Sequence, residues 1–195
     1  MKKTIWVPIV IGVAFGLLAG ITEVAGFTFN INPGGAPITI GFYMVLYALS
    51  AALGGPIAGF LTVAIDIIAV ALFGPPDVKA LFNDPIIFWT NLIDLGVVLA
   101  LFGFAYRFIY QRFKMPLRLL TWAGIVIAAY IIVYPILVIS QYLLGYYHDT
   151  SVIGIILSGL KGFAPQAISD IIITSLIWIG LPESFRRPLW YEPKK

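Results

Sequence analysis

Residues 50–66 read SAALGGPIAGFLTVAID, two apolar runs that are separated only by Gly54, Gly55 and Pro56. Glycine and proline are the strongest local signals for a turn, because glycine adopts unusual backbone angles and proline lacks the N–H of a regular helix. A helix of about 17 residues is the shortest that crosses a hydrocarbon core. The stretch therefore predicts two short helices that fold back on each other as a tight hairpin.

The composition places the whole chain in a membrane. Of its 195 residues, 61% are apolar and 11% are charged, and the mean hydropathy is +0.99. In a soluble domain about a quarter of the residues are charged. These values predict an integral protein of the lipid bilayer. The formal charge of +3 is small, and the basic residues lie at the ends of apolar runs, which indicates membrane orientation and not nucleic-acid binding.

The hydropathy pattern predicts an all-α polytopic membrane protein that forms one domain over residues 1–195. Six transmembrane helices are expected at residues 5–27, 38–53, 57–73, 86–106, 119–144 and 152–181. If both termini are cytoplasmic, ten lysine and arginine residues lie inside and only Lys79 lies outside, as the positive-inside rule requires. The predicted location is the plasma membrane. A signal peptide that begins at Lys2 fits less well, because the apolar run continues to Phe27.

Charged side chains inside four of these spans are the main functional signal: Glu23, Asp66, Asp94 and Lys161. Counting 1.5 Å per residue places all four in the outer half of the membrane, roughly 6–14 Å deep. Charge at that depth is costly and usually has a partner or a function. Asn91 and Asp94 are three residues apart, on one face of a helix below Trp89. This cluster predicts a small-molecule pocket that opens to the outside.

The sixth span contains Pro165, which has no N–H and so removes the helical partner of the Lys161 carbonyl. A helix broken in this way commonly lines a cavity in a membrane protein. Two other interpretations stay open: Pro165 only kinks the helix for packing, or Lys161 forms a structural ion pair with Asp66 or Asp94. Asp170, deeper in the same span, is expected to have a structural or coupling role and not to contact a ligand.

The first span carries Gly12, Gly16 and Gly20 at every fourth position, which forms a groove where another helix can approach closely. We expect this groove to dock a partner protein. The alternative is that the second or third span of the same chain fills it.

The first outer loop, residues 28–37, reads TFNINPGGAP and is long enough to fold over a site as a lid. The residues expected at the centre of the lid are Asn32, Pro33, Gly34 and Gly35. The chain has no cysteine and a single histidine, His148, so we expect neither a disulfide nor a metal site. Phosphate-binding, nucleophile-elbow and metalloprotease motifs are missing from the sequence. We therefore expect no enzyme activity, no catalytic residue and no cofactor.

The chain resembles the substrate-binding S components of energy-coupling factor (ECF) vitamin transporters. The resemblance is carried by the six spans, the small-residue face of the first span, the NPGGAP loop and the segment SAALGGPIAGFLTVAID, and it covers essentially the whole chain. In that family the first helix, commonly with Ala-x-x-x-Ala where this chain has glycines, docks on a membrane-embedded coupling subunit driven by two ATPase subunits. The family's ligand lies in the outer half, between helices 4 to 6 and under loop 1. The resemblance thus implies a vitamin-like nutrient as ligand.

Four residues are the predicted ligand contacts: Trp89, Asn91, Asp94 and Lys161. Lys161 would meet a carboxylate or phosphate, Asp94 an amine or ring N–H, and Trp89 the face of a ring, while Asn91 both donates and accepts. Glu23 and Asp66 are predicted to support the site by orienting Lys161.

Two alternatives to a nutrient-binding subunit are compatible with the sequence. The first is a self-contained proton- or ion-coupled carrier or channel subunit, in which Asp66, Asp94 and Asp170 relay protons. The second is an accessory subunit of a larger membrane complex, whose polar residues only satisfy contacts between helices.

Overall fold

The fold is given by a computed structural model that describes residues 6–31, 38–147 and 151–190. Its elements are, in chain order, α1 (Trp6–Val24), β1 (Thr28–Ile31), β2 (Ile38–Gly41), α2 (Tyr43–Phe73), α3 (Pro76–Phe82), α4 (Pro85–Thr90), a π-helical turn (Asn91–Leu95), α5 (Gly96–Arg112), α6 (Leu117–Leu143), α7 (Val152–Gly180) and α8 (Glu183–Arg186). Among the described residues, four helical stretches are long and apolar enough to cross a membrane, judged by length and composition and with the bent α2 counted as one stretch: Trp6–Val24, Tyr43–Phe73, Pro85–Arg112 and Leu117–Leu143. The predicted helical fold is confirmed at this level. The count of six spans and the cytoplasmic termini stay predictions.

Helix α2 is bent back on itself at Gly55, whose φ of 77° lies in the left-handed region that glycine adopts without strain. The turn separates a leg over residues 43–54 from a leg over residues 56–73. Ser50 Oγ and Thr62 Oγ1, one from each leg, are 2.6 Å apart, so the two legs lie side by side. The helical hairpin predicted from Gly-Gly-Pro is therefore confirmed. Its first leg is only about 18 Å long, shorter than a hydrocarbon core of about 30 Å.

A short antiparallel β-hairpin that was not predicted joins the start of the predicted loop over residues 28–37 to the start of the predicted second span. Strands β1 and β2 pair with Thr28 opposite Gly41. The predicted second span was wrong to start at residue 38, because α2 begins at Tyr43. Residues 38–40 are Ile, Thr and Ile, and β-branched residues favour an extended backbone.

The glycine face of α1 is packed against the second leg of α2. A Cβ atom on Gly12 would lie 2.8 Å from Leu61 Cβ, and one on Gly16 would lie 2.8 Å from Ile65 Cβ. The missing side chains are therefore what allows α1 and α2 to approach so closely. The prediction that Gly12, Gly16 and Gly20 dock a partner is corrected, because α2 of the same chain covers this face.

We expect Gly16→Leu to lower the thermal unfolding temperature of the purified protein, because the new side chain collides with Ile65 and separates α1 from α2. Overpacking of this kind costs about 1–3 kcal/mol. Gly124→Leu is the matched control, since a Cβ at Gly124 meets nothing within 4 Å. Equal unfolding temperatures for the two variants would contradict the packing of α1 on α2. If Gly16→Leu instead kept its unfolding temperature but no longer bound a coupling complex, the docking prediction would be restored.

Aromatic rings close the end of the bundle that is predicted to face the cytoplasm. Trp122 and Trp178 stack with their ring centroids 6.2 Å apart, and Tyr106 meets both rings edge to face. The Tyr106 hydroxyl donates a hydrogen bond to the backbone carbonyl of Arg186. The chain after α7 is thereby tied to the end of α5.

Glu183 joins three helices at the same end. Its carboxylate accepts a hydrogen bond of 2.9 Å from the Tyr110 hydroxyl and lies 3.4 Å from Arg118 Nη1 and 3.7 Å from Arg186 Nη1. The pKa of Glu183 is lowered chiefly by the hydrogen bond from Tyr110. These contacts link α5, α6 and α8.

Candidate functional site

A cavity of about 210 Å³ lies between α2, α5, α6 and α7. Most of its wall is apolar, and four aromatic side chains contribute to it: Tyr43, Tyr47, Phe102 and Tyr134. A water occupies about 30 Å³ in the liquid, so the space holds about seven waters or one small ring compound. Phe102 contacts the Trp122 ring edge to face, with centroids 4.9 Å apart. The aromatic rings thus pack against the side of the cavity that is predicted to face the cytoplasm.

Helix α7 contributes two polar side chains to the cavity wall. Asp170 is 3% exposed and Thr174 is 1% exposed, and their spacing of four residues places them on one face of the helix. The Thr174 hydroxyl donates to the Asp170 carbonyl and accepts a hydrogen bond of 3.1 Å from Trp122 Nε1. Among the described residues of the wall, Asp170 is the one acidic side chain, and none is lysine or arginine.

A further polar group comes from the π-helical turn between α4 and α5. Asn91, the first residue of this turn, and Leu95, the last, both line the cavity. The Asn91 side-chain nitrogen donates a hydrogen bond of 2.8 Å to the Ile87 carbonyl, which fixes the orientation of the amide. Single π-helical turns are rare and frequently occur at functional sites. Asn91 is thus the predicted ligand contact that the structure places on the cavity wall.

Trp89 and Lys161 lie away from the cavity. The Trp89 side chain is 54% exposed, and Lys161 is exposed and forms no ion pair with any described residue. Lys161 precedes Asp170 by nine residues, or two and a half helical turns, so the two side chains face opposite sides of α7. The structure therefore shows no ion pair of Lys161 with Asp66 or Asp94. The roles of Trp89 and Lys161 as ligand contacts stay predictions.

Asp94 is half-buried but does not line the cavity, although Asn91 does. The prediction assumed α-helical geometry, in which residues three apart share a face. Hydrogen bonds in a π-helix run from residue i to i+5 and widen the turn, so the two side chains diverge. The structure therefore places Asn91 but not Asp94 on the wall of this cavity, and a role of Asp94 as a ligand contact stays a prediction.

A second buried polar group lies behind the cavity wall. The Tyr47 ring lines the cavity, and its hydroxyl donates a hydrogen bond to Asp66 Oδ2. Asp66 is 1% exposed, and the Glu23 carboxyl group is its neighbour. Glu23 and Asp66 thus support the wall through Tyr47. Their predicted role of orienting Lys161 is corrected, because Lys161 makes no ion pair with either.

Asn91 is the one wall residue that was predicted to contact a ligand, and the wall residues that were missed include Tyr47, Tyr134 and Asp170. Asp170 and Thr174 form a polar pair with helical spacing in an otherwise apolar span, a signal that could have found them. Tyr47 and Tyr134 gave a weaker signal for a binding site. A tyrosine inside an apolar span often only packs in the protein core.

The predicted lid residues Asn32, Pro33, Gly34 and Gly35 lie outside the described residues. Strand β2, which follows them, lies beside α7. The hairpin therefore contacts one of the four helices that enclose the cavity.

The described residues contain no group of three or more histidine and acidic side chains that could hold a metal ion. No family model matches the chain, and no match was found among curated proteins or among solved structures. The function is therefore argued from the cavity itself.

Proposed function

We propose that this protein is a multi-pass plasma-membrane subunit that binds a small nutrient, a vitamin or related micronutrient, in the cavity between α2, α5, α6 and α7. The observation that carries the proposal is the cavity of about 210 Å³ with few polar groups in its wall. Small-molecule sites are usually concave and largely apolar, with a few polar groups that fix the orientation of the ligand. Asn91, Asp170 and Thr174 supply these groups here.

The cavity wall favours a ligand with a ring and an amine or N–H group. An ammonium or N–H group pairs with the Asp170 carboxylate, and the tyrosine rings contact the ring face or a cationic group. An anionic ligand is disfavoured, because the described wall residues include no lysine or arginine. The ligand proposed here, with an amine or N–H group, replaces the ligand expected from the sequence, whose carboxylate or phosphate would meet Lys161.

Transport into the cell is proposed to require a membrane-embedded coupling subunit and ATPase subunits. The sequence contains no nucleotide-binding motif, so energy from ATP has to come from a partner. The resemblance to ECF S components supports this particular partner. Because α2 covers the glycine face of α1, we place the docking surface on another face of the bundle.

A self-contained proton-coupled carrier is the second candidate, and the group formed by Tyr47, Asp66 and Glu23 favours it. Neighbouring acidic side chains inside apolar spans are a common feature of proton pathways through membranes. The hydrogen bond from Tyr47 joins this pair to the cavity wall. Ligand binding and proton binding could be coupled along this path.

An uptake experiment separates the two candidates. We expect the protein alone, reconstituted in liposomes, to bind its ligand but not to accumulate it under a pH gradient, because it lacks an energy-coupling partner. Accumulation driven by the pH gradient would contradict this proposal and favour the carrier. Tyr47→Phe is the control variant, since it keeps the ring but removes the hydrogen bond to Asp66. It should abolish uptake by a proton-coupled carrier while leaving most ligand binding in place.

A further inference from the structure

A second cavity, of about 440 Å³ and open to the surroundings, lies between α6 and the first half of α7. Its wall is formed by Tyr134, Ser151, Gly154, Ile155, Ser158 and Gly159. This wall carries two serine hydroxyl groups and exposes the backbone at two glycines. It is therefore more polar than the wall of the cavity between α2, α5, α6 and α7, which we call the inner cavity. The outer cavity, as we call this space, lies at the start of α7, which is the end predicted to face outside.

One face of α7 runs from the outer cavity to the inner one. Gly159 lines the outer cavity and Asp170 lines the inner cavity. Their separation of eleven positions amounts to three helical turns to within about 20°, or about 16 Å along the axis. The two cavities therefore lie one behind the other on the same side of α7.

Tyr134 belongs to the walls of both cavities. Its ring packs directly on Gly159, and a Cβ atom at that position would overlap the ring. Glycine at position 159 thus allows the ring to lie against the α7 backbone and to fill the space between α6 and α7. Among the described side chains, Tyr134 is thus the one that the two cavities share.

We infer that the outer cavity is the vestibule of the binding cavity and that the Tyr134 ring closes the passage between them. The inference rests on the proposed function, since a passage has a use only if the inner cavity takes a ligand. The molecule that passes is the same small ring compound with an amine or N–H group, and the face of Tyr134 attracts a cationic group. A change of side-chain rotamer opens the passage, so α6 and α7 do not have to separate.

The test measures access to the inner cavity with a cysteine at Ala48, which lines it, in a chain that otherwise has no cysteine. The probe is 2-aminoethyl methanethiosulfonate, a small cationic thiol reagent, and the rate of modification is followed by mass spectrometry. Tyr134→Ala should increase the rate at Ala48→Cys by at least about tenfold, because the barrier to passage is removed. Tyr134→Phe should leave the rate unchanged, since the ring and not the hydroxyl fills the passage.

Gly159→Ala provides a second variant, independent of Tyr134. It should displace the ring and increase the rate, whereas Gly154→Ala should not, because a Cβ there lies 3.5 Å from Ser151 in ordinary contact. A cysteine at Ser158, in the outer cavity, should react at the same rate with or without Tyr134→Ala. The inference is overturned if the rate at Ala48→Cys is unaffected by both Tyr134→Ala and Gly159→Ala. The experiment needs no ligand, so its outcome is separate from that of the proposed function.

Discussion

The Asp170→Asn variant is expected to bind the molecule that co-purifies with the protein at least about tenfold more weakly than the unmodified protein does, because a charge-assisted hydrogen bond contributes about 1.5–3 kcal/mol. Asparagine keeps the size of the side chain but removes the carboxylate that would pair with an amine or N–H group. Affinity is measured by titration calorimetry in detergent. Thermal unfolding without ligand is measured in parallel, so that a loss of binding can be told from a loss of folding.

Lys161→Ala is the matched comparison on the same helix. Lys161 is exposed on the opposite side of α7 from Asp170, so its removal should leave the affinity nearly unchanged. The reverse pattern, in which Lys161→Ala weakens binding and Asp170→Asn does not, would contradict the cavity as the site. That result would restore the polar cluster predicted from membrane depth.

Filling the cavity with Ala48→Phe should abolish ligand binding. Ala48 lies on the cavity wall, and a phenyl ring there takes the space that the ligand requires, with a loss of affinity on the order of a hundredfold or more, about 2.7 kcal/mol. The folded state should survive, because the ring enters a space that is already present. Both properties are measured by thermal unfolding with and without ligand, since a bound ligand raises the unfolding temperature.

Ala128→Phe is the control for this change, because Ala128 is exposed on α6 and its side chain does not reach the cavity. The control should respond to the ligand as the unmodified protein does. A ligand-induced rise in unfolding temperature that persists in Ala48→Phe would show that the ligand binds elsewhere.

The helical hairpin was predictable from a short stretch of sequence, because Gly54, Gly55 and Pro56 act locally on the backbone. The extents of most helices were predictable for the same kind of reason, since apolar runs of sufficient length end where polar or turn residues begin. The β-hairpin was harder to predict. Ile38 and Ile40 are apolar as well as β-branched, and hydropathy alone cannot distinguish a strand from the start of a span.

The candidate site was only partly predictable, because counting residues gives depth in a membrane but not rotation about a helix axis. Lys161 was assigned a suitable depth, yet it faces away from the cavity. The π-helical turn adds a second error, since it moves Asp94 away from Asn91 in a way that no α-helical spacing describes. Asp170 was placed in the correct helix but was not expected to contact a ligand.

The glycine pattern of α1 illustrates a related limit. Gly12 and Gly16 predicted a close approach between helices, and such an approach is present. The identity of the approaching helix depends on the path of the chain, which the spacing of glycines does not encode. A helix of the same chain and a helix of a partner require the same small-residue face.

The central claim is that the cavity between α2, α5, α6 and α7 holds a small nutrient, and native mass spectrometry of the purified protein tests it most directly. The expected result is a population that carries one small molecule, with a mass that fits a single-ring compound bearing an amine or N–H group, and that loses this molecule in the Ala48→Phe variant. The account would be contradicted by a molecule that Ala48→Phe retains to the same extent, or by a protein that carries no small molecule after purification from cells supplied with a full set of vitamins.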